Sequence, residues 1–398
     1  MTFFILGSHP EISIAEIMAV TGVRDPSTRP TLGSDSLRMT SDPRHKFSVS
    51  KNVLLLEDVD ENMGKLQERL AGTIKIGRII GEMNEWNMDE AATLIASVVS
   101  EAAGKNKIEF GLSDYGIKQD LSTIGKEIKR QVKQTGRPVR YVSSREPQLS
   151  SVIVKENHLL ESGGEFVFLA SGDKILIGQT ETVQDYKAWS KRDYGRPERD
   201  AKSGMLPPKL ARMMINLSGI DPKKVTLLDP FVGSGTILME AALLGCKKLI
   251  GSDISEKAIH DSKKNWNWLI QNFRLPEISV SLHTSPAQKI DEIVNEEIDV
   301  VVTETFLGKP KSKPLSETEF NQTKKELMEI YEPSFQTIKK LLKKDGVMVV
   351  AVPAFKVGNE YKRLNLESFF KKIGFSVSQT FLYYRENQIV AREIFVLT

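Results

Sequence analysis

Among its 398 residues the sequence has a single cysteine, Cys246. One cysteine excludes both a disulfide framework and a zinc site built from clustered cysteines. The five histidines show no metal-ligand spacing, so no metal is expected. No apolar run approaches the roughly 18 residues that a membrane span needs. The opening run Thr2–Leu6 is too short for a secretory signal. These absences predict a cytoplasmic protein with neither membrane nor metal.

The sequence also has little excess charge, with a formal net charge of +3 at pH 7. Lysine and arginine are nevertheless enriched in residues 105–145 and 187–212. Proteins that bind phosphates concentrate such residues, because each neutralised phosphate releases counterions. Ordinary solvated helix faces explain both stretches equally well. The composition therefore permits nucleic-acid binding without demonstrating it.

The chain is long enough for two or three domains at roughly 150 residues each. Residues 1–60 open with a strand and a helix that begins at Pro10, and residues 61–170 alternate between helices and short strands in an α+β pattern. Glycine and proline in Arg192–Pro197 indicate a linker over residues 171–204. We therefore predict domains at 1–60, 61–170 and 205–398.

Residues 205–398 show regular alternation of strands and helices, which predicts a doubly wound parallel sheet. The last two strand-like runs, Phe375–Tyr384 and Gln388–Leu397, are joined by a tight turn and predict a terminal antiparallel hairpin. Nucleotide-binding dehydrogenases usually keep an all-parallel sheet, whereas class I methyltransferases end in such a hairpin. The fold class is therefore α/β, of the class I, Rossmann-like methyltransferase type.

A glycine-containing loop, Asp229–Thr236, lies between a predicted strand and helix. Its glycines allow the backbone to turn tightly and approach a ligand, and the helix that follows directs N–H groups at that ligand. A carboxylate about twenty residues later, Asp253, ends the next strand, where it can reach ribose hydroxyls. The residues predicted to bind S-adenosylmethionine are Asp229, Phe231, Gly233, Ser234, Gly235, Thr236, Asp253, Ile254, Pro286 and Ala287.

A dinucleotide site is the main alternative for this loop. The dinucleotide fingerprint has a third glycine where this sequence has Leu238. Asp229 also places a carboxylate where a pyrophosphate would be repelled. With the terminal hairpin, these departures favour a methyltransferase over a dinucleotide-binding enzyme.

The resemblance to a known family extends over nearly the whole chain. Asp229–Thr236 resembles the first motif of nucleic-acid amino-methyltransferases. Thr2–Gly7 with Ile12–Glu16 looks like the opening of the archaeal and eukaryotic enzymes that form N2-methylguanosine at tRNA position 10. Arg192–Asp200 and the long match Gly204–Ala211 are similar to the linker and the first methyltransferase helix of those enzymes.

This resemblance implies a ferredoxin-like domain at 1–60, a tRNA-binding THUMP domain at 61–170 and a methyltransferase domain at 205–398. It implies S-adenosylmethionine as cofactor, tRNA as partner and the exocyclic N2 of guanosine as target. It leaves open whether a small activating protein is needed, as for eukaryotic relatives; otherwise we expect a monomer. Members usually have Asp-Ala after the third strand, the Asp contacting the adenine amine. Ser285 or Pro286 stands there in this chain, before Ala287.

The family's Asp/Asn-Pro-Pro-aromatic motif is altered in this chain. In that motif a side chain and a backbone carbonyl accept the hydrogens of a target amine, and the aromatic ring stacks on the withdrawn base. Glu304 takes the position of the Asp, and Thr305 and Phe306 replace the prolines. The aromatic position is filled by Leu307 or, one place early, by Phe306. The predicted catalytic residues are Glu304, Thr303, Thr305 and Phe306.

Basic residues near these motifs are candidates for contacts with RNA. They lie on the predicted helix 119–134, in the linker and in the loop after the catalytic motif: Lys129, Arg130, Lys133, Arg192, Arg196, Lys309 and Lys311. The leading hypothesis is a tRNA guanine-N2-methyltransferase. The alternatives are the same enzyme class acting on another tRNA or rRNA base, and a catalytically silent RNA-binding protein.

Overall fold

The computed structural model describes residues 1–23, 47–50, 52–57, 59, 61–102, 107–199 and 205–398. Two compact units, Met1–Ala188 and Trp189–Thr398, divide the chain. None of the helices in these ranges is both long and apolar enough to cross a membrane. Within the same ranges, no group of three His, Cys, Asp or Glu side chains is placed to hold a metal ion.

The N-terminal unit is built on one eight-stranded sheet with the order β2-β3-β1-β4-β8-β7-β5-β6. Five α-helices in the described part of this unit accompany the sheet. The elements are β1 (Thr2–Leu6), α1 (Pro10–Thr21), β2 (Phe47–Ser50), β3 (Val53–Leu56), α2 (Met63–Arg69), β4 (Thr73–Met83), α3 (Met88–Glu101), β5 (Ile108–Tyr115), α4 (Leu121–Gln134), β6 (Val139–Val142), α5 (Ser151–Glu156), β7 (Gly164–Ser171) and β8 (Lys174–Val183).

The long strand β4 corrects two predicted domain boundaries. It pairs with β1 on one side and with β8 on the other, so the sheet continues across the boundary predicted at residue 60. The prediction of a linker over 171–204 is wrong for its first part, because Lys174–Val183 forms a central strand of this sheet. Leu176, Ile177 and Gly178 of β8 are buried one after another, and Leu176 and Ile177 belong to different apolar clusters, as expected for a central strand that is covered on both faces.

The C-terminal unit is built on a second sheet with the order β11-β10-β9-β12-β13-β16-β15. Strands β9 to β13 are parallel. The elements are α6 (Tyr186–Tyr194), which begins just before the unit boundary, α7 (Pro208–Leu217), β9 (Thr226–Asp229), α8 (Thr236–Leu243), β10 (Lys248–Asp253), α9 (Glu256–Asn272), β11 (Ser279–Thr284), β12 (Ile298–Glu304), α10 (Glu317–Leu341), β13 (Leu342–Val357), β14 (Glu360–Lys362), α11 (Glu367–Lys372), β15 (Val377–Tyr383) and β16 (Val390–Leu397).

The terminal hairpin is confirmed. Strand β16 pairs antiparallel with both β13 and β15, and the short β14 also pairs antiparallel with β13. The order of strands reverses direction at β9, with β10 on one side and β12 on the other. Ligands of open α/β sheets bind at the carboxyl ends of the strands beside such a reversal. The ends of β9, β10 and β12 carry Asp229, Asp253 and Glu304.

The core of this unit holds the central strands in place. Val300–Val302 in β12 and Met348–Val352 in β13 are completely buried, as expected for parallel strands covered on both faces. Helix α10 packs an apolar face on this core through Phe320, Leu327 and Tyr331. A capping box between Ser316 and Glu319 fixes its first turn. The strand ends are therefore held on rigid elements.

Candidate active site

The loop between β9 and α8 turns sharply through two glycines. Gly233 and Gly235 have φ values of 51° and 84°, a region that favours glycine. The Ser262 hydroxyl donates to the Gly233 carbonyl at 2.7 Å and holds the turn in place. Gly235 is the N-cap of α8, and no described side chain caps this end of the helix. The first-turn N–H groups are therefore available to an anionic ligand group.

Asp229 joins this loop to the strand that carries the altered motif. The Thr303 hydroxyl donates to Asp229 Oδ1 at 2.7 Å, and the Phe231 backbone N–H donates to the same oxygen at 3.2 Å. The pKa of Asp229 is raised to about 7, mainly by burial and also by the nearby carboxylates of Asp253 and Glu304, while the two hydrogen bonds oppose the shift. A cation beside Asp229 would favour its ionised form.

Asp253 lies at the end of the neighbouring strand and contacts the same loop. Its Oδ2 accepts the Gly233 N–H at 3.0 Å, and its Oδ1 accepts the Ser255 N–H at 2.9 Å. Each carboxylate oxygen has a second lone pair, so both oxygens can still accept ribose hydroxyls. The next residue, Ile254, has 74% of its side chain exposed, which provides an apolar surface beside the carboxylate.

The turn after β11 completes this group. The Ser285 backbone N–H donates to the Asp253 carbonyl at 2.9 Å, which brings Pro286 and Ala287 next to the end of β10. Ala287 is buried, and Pro286 is partly exposed. All the segments predicted to bind the cofactor therefore meet at one edge of the sheet.

Glu304 ends β12 in a nearly closed environment. Its side chain is 15% exposed, and it forms an ion pair with Arg392 of β16, which is 4% exposed. The Arg392 Nε donates to Glu304 Oε1. Burial raises the pKa of Glu304, while the charge and hydrogen bond of Arg392 lower it. Phe306 follows with 48% of its side chain exposed, so an aromatic face is open to solvent two residues after the carboxylate.

A tyrosine of α10 replaces the rigidity that the two prolines supply in the family motif. The Tyr331 hydroxyl donates to the Phe306 carbonyl, and the Thr305 hydroxyl lies 2.9 Å from the same tyrosine oxygen. The Thr305 backbone N–H donates to the Ala351 carbonyl at 3.0 Å. These contacts fix the backbone of the motif from both sides. Neither Tyr331 nor Arg392 was predicted from the sequence.

Known proteins resemble this chain in its C-terminal unit and beyond. A family model described as an RMKL-like methyltransferase domain matches residues 196–372, and a second model, described as DNA methylase, matches residues 113–264. A probable tRNA (guanine(10)-N2)-dimethyltransferase of Methanothermococcus thermolithotrophicus is 31% identical over 147 residues, which cover 36% of this chain and 78% of the relative. The chain belongs to the family of tRNA (guanine(10)-N2)-dimethyltransferases.

Further members of this family match shorter stretches. The Methanothermobacter thermautotrophicus enzyme of the same name is 33% identical over 105 residues, which cover 26% of this chain and 28% of the relative. The matches span between 28% and 54% of the length of three such relatives. The crystal structure of TrmN from Thermus thermophilus has the same fold, with a TM-score of 0.53 and 13% identity over 100% of this chain and 99% of that chain. The resemblance and the fold class predicted from the sequence are confirmed.

Two of the basic residues predicted to contact RNA are buried within the C-terminal unit. Arg192 donates to Glu240 Oε1 at 2.8 Å, and Arg212 donates to the other oxygen of the same carboxylate at 2.8 Å. Arg196 donates to the Thr236 hydroxyl at 2.6 Å. Arg192 and Arg196 are only 6% and 2% exposed, so burial disfavours the prediction that they contact RNA phosphates. The part of this motif at 200–204 lies outside the described residues.

The remaining basic candidates lie at or near the surface. On α4, Lys129 is partly exposed, whereas Arg130 and Lys133 are exposed. Arg130 forms an ion pair with Glu127 at 2.6 Å. Lys309 and Lys311 line a cavity of about 160 Å³ beside the exposed Phe306, and its opposite wall comes from α10. A role for these five residues in RNA binding stays a prediction.

Proposed function

We propose that this chain is an S-adenosylmethionine-dependent methyltransferase that methylates the exocyclic N2 of guanosine 10 in tRNA. The observation that carries the proposal is the 2.7 Å hydrogen bond between Thr303 and Asp229. This bond joins the glycine loop to the strand that ends in Glu304, so one edge of the sheet holds both a cofactor loop and an amine-accepting motif. The proposed substrate, the N2 of guanosine 10 in tRNA, is the one that the names of the relatives give.

The residues at this edge fit S-adenosylmethionine. The uncapped N-terminus of α8 suits the ligand's carboxylate, and Asp229 suits its ammonium group. Asp253 suits the ribose hydroxyls, and the exposed Ile254 suits an apolar ring face. When bound, S-adenosylmethionine supplies an electrophilic sulfonium methyl group. The residues of this chain bind and orient the two reactants.

Glu304 and the backbone beside it act on the target amine. The lone pair of an exocyclic amine is delocalised into the ring, which makes the nitrogen a poor nucleophile. The Glu304 carboxylate and the Thr305 carbonyl accept the hydrogens of the amine and favour a pyramidal nitrogen. Arg392 orients the carboxylate, and Phe306 stacks on the withdrawn base. Catalysis then depends on position and electrostatics.

We infer that the basic residues at the surface bind tRNA. Lys309 and Lys311 contact phosphates next to the target nucleotide, and α4 of the N-terminal unit contacts the RNA backbone. Shape and backbone recognition are expected, because side chains cannot read the deep groove of an A-form helix. We propose that the chain acts in the cytoplasm as a monomer, either alone or with a small activating protein.

The proposed function is tested by methyl transfer in vitro. Purified protein is incubated with tritiated S-adenosylmethionine and an unmodified tRNA transcript, and the product is digested to nucleosides. We expect labelled N2-methylguanosine and no labelled N6-methyladenosine. Labelled N6-methyladenosine, or label only in a parallel incubation with unmodified ribosomal RNA, would identify a different target within the same enzyme class.

A second candidate is a catalytically silent RNA-binding protein, which one observation favours. The Glu304 carboxylate is already paired with the buried Arg392, so one of its oxygens carries a strong hydrogen bond in the protein itself. A silent protein would bind both S-adenosylmethionine and tRNA in calorimetric titrations but transfer no label. Labelled guanosine in the assay above eliminates this candidate.

Cofactor affinity is expected to depend on pH through Asp229. Its pKa in the folded protein is about 7, above the ordinary 3.8, mainly because of burial. Only the ionised carboxylate attracts the ligand's ammonium group, so the dissociation constant for S-adenosylmethionine should fall roughly fivefold to tenfold between pH 6 and pH 7.5. Isothermal titration calorimetry measures this slope. The Asp229→Asn variant should bind S-adenosylmethionine more weakly and show no such dependence on pH. An unchanged pH dependence in that variant would show that another group titrates.

Removing the Tyr331 hydroxyl should loosen the altered motif. Tyr331→Phe leaves the packing of the ring in place but deletes the hydrogen bond to the Phe306 carbonyl. We expect methyl transfer at saturating tRNA to slow by about tenfold, which corresponds to about 1.4 kcal/mol of lost positioning. Tyr361→Phe, which deletes a tyrosine hydrogen bond to the Gln388 carbonyl elsewhere in this unit, serves as the matched control. An unchanged rate in Tyr331→Phe would show that the tyrosine does not position the motif.

A further inference from the structure

Arg196 is a buried cation with an incomplete set of partners. Its side chain is 2% exposed, and its Nη1 donates to the Thr236 hydroxyl at 2.6 Å. Its Nε and Nη2 are buried and have no hydrogen-bond partner among the described residues. Burial lowers the pKa of Arg196 to about 10, against the attraction of Asp193 and Glu240. The neighbouring Arg192, in contrast, is paired directly with the Glu240 carboxylate.

The backbone next to Arg196 is tied to the glycine loop. The Glu198 N–H donates to Asn265 Oδ1 at 3.0 Å. The Asn265 amide in turn donates to the Glu198 carbonyl at 3.0 Å and to the Ser234 carbonyl at 2.9 Å. Asn265 is fully buried, so this bridge holds the residue 196–198 segment against the loop. The guanidinium is therefore fixed beside Thr236, the first residue of α8.

The two unpartnered nitrogens indicate the shape of the missing partner. Nε and Nη2 lie on one edge of the planar guanidinium, and this edge donates two parallel hydrogen bonds to a carboxylate or a phosphate. A buried cation without an anionic partner is costly, and native proteins rarely leave such donors unsatisfied. The N-terminus of α8, whose N–H groups also favour an anion, lies at the same place.

We propose that Arg196 binds the carboxylate of the amino-acid part of S-adenosylmethionine through its Nε and Nη2. The inference rests on the proposed function. Thr236 orients the guanidinium by holding its Nη1, and Asp229 at the other end of the loop receives the ammonium group. The zwitterion of the ligand thus meets two opposite charges. A 2% exposed side chain suits a small carboxylate bound in the cofactor site better than an RNA phosphate at the surface.

The test compares two ligands by isothermal titration calorimetry. S-adenosylmethionine carries the carboxylate, whereas its decarboxylated analogue keeps the sulfonium and the primary amine without it. Arg196→Met is expected to weaken S-adenosylmethionine binding by about 10-fold to 100-fold, as for a lost charged hydrogen bond. The affinity for the decarboxylated analogue should change by less than about twofold, because that ligand makes no contact with the guanidinium. The affinity of Arg196→Lys for S-adenosylmethionine should lie between those of the wild type and Arg196→Met. Lysine keeps the positive charge but cannot donate two parallel hydrogen bonds.

Arg199→Met is the matched control, because Arg199 is an exposed arginine three residues away. This variant should bind both ligands with the affinity of the wild type. Equal losses for both ligands in Arg196→Met would assign Arg196 a structural role and overturn the inference, as would unchanged affinity for S-adenosylmethionine. Weaker tRNA binding with unchanged cofactor binding would assign the guanidinium to a phosphate and also overturn it. If the wild-type protein binds no S-adenosylmethionine, both the proposed function and this inference fail. If the wild-type protein binds S-adenosylmethionine and Arg196→Met binds it equally well, only this inference fails.

Discussion

Replacing Glu304 by alanine should slow methyl transfer to tRNA by about two to three orders of magnitude, the usual cost of losing a preorganised group at the reacting centre. In the proposed mechanism this carboxylate is the side-chain acceptor for the amine hydrogens at the end of β12. The affinities for S-adenosylmethionine and tRNA should change little, because Asp229, Asp253 and the basic surface remain. The measurement is a single-turnover rate with enzyme in excess, combined with separate binding titrations.

Two further variants separate the role of Glu304 in catalysis from its role in packing. Glu304→Gln keeps the size of the side chain and one oxygen acceptor, so it should retain more activity than the alanine variant. Glu329→Ala changes an exposed carboxylate of α10 and should leave the rate at the wild-type value. A Glu304→Ala protein that methylates tRNA at the wild-type rate would show that Glu304 is not the acceptor.

The second large effect concerns the stability of the N-terminal sheet. Glu165 is completely buried and forms an ion pair with the buried Lys75. The Ser113 hydroxyl donates to one Glu165 oxygen at 2.6 Å, and the Thr180 hydroxyl donates to the other at 2.8 Å. Since Glu165→Ala leaves Lys75 buried without its counter-charge, unfolding of this unit should become easier by about 3–5 kcal/mol.

Urea unfolding with hydrogen–deuterium exchange of peptides from β4 and β8 measures this loss within the N-terminal unit. The control is Glu181→Ala, which breaks the exposed pair with Arg78 and should cost at most about 1 kcal/mol. Combining Glu165→Leu with Lys75→Met removes both charges and should recover most of the loss. A cost for Glu165→Ala no larger than that for Glu181→Ala would contradict the structural role given to this pair.

Local patterns were enough to predict the elements that form the site. The alternation of strands and helices after residue 205, the glycine loop at 229–236 and the terminal hairpin all depend on residues close together in sequence. The position of Glu304 followed from the match of the end of a predicted strand to the family's Asp/Asn-Pro-Pro-aromatic motif. Hydrogen bonds between Thr303 and Asp229 and between Gly233 and Asp253 then bring these separate segments together.

Features that depend on distant pairing were not accessible from the sequence. Arg392 is 88 residues from Glu304, and Tyr331 is 25 residues from Phe306, so no local spacing connects them. Arg192 and Arg196 were assigned to RNA because basic residues are usually exposed, whereas the structure pairs Arg192 with the buried Glu240 and holds Arg196 against the Thr236 hydroxyl. The strand Lys174–Val183 was assigned to a linker although it forms a local hairpin with β7 across Gly172 and Asp173, so this short turn is the signal that the sequence reading missed.

The most direct test of the proposed function removes the exocyclic amino group of the target base. Two tRNA transcripts are compared, one with guanosine at position 10 and one with inosine, which lacks only the exocyclic 2-amino group. With tritiated S-adenosylmethionine, we expect label in the guanosine transcript as N2-methylguanosine and none in the inosine transcript. Equal labelling of the two transcripts would contradict methylation of the N2 at position 10, and labelling of neither would contradict tRNA methylation by this chain.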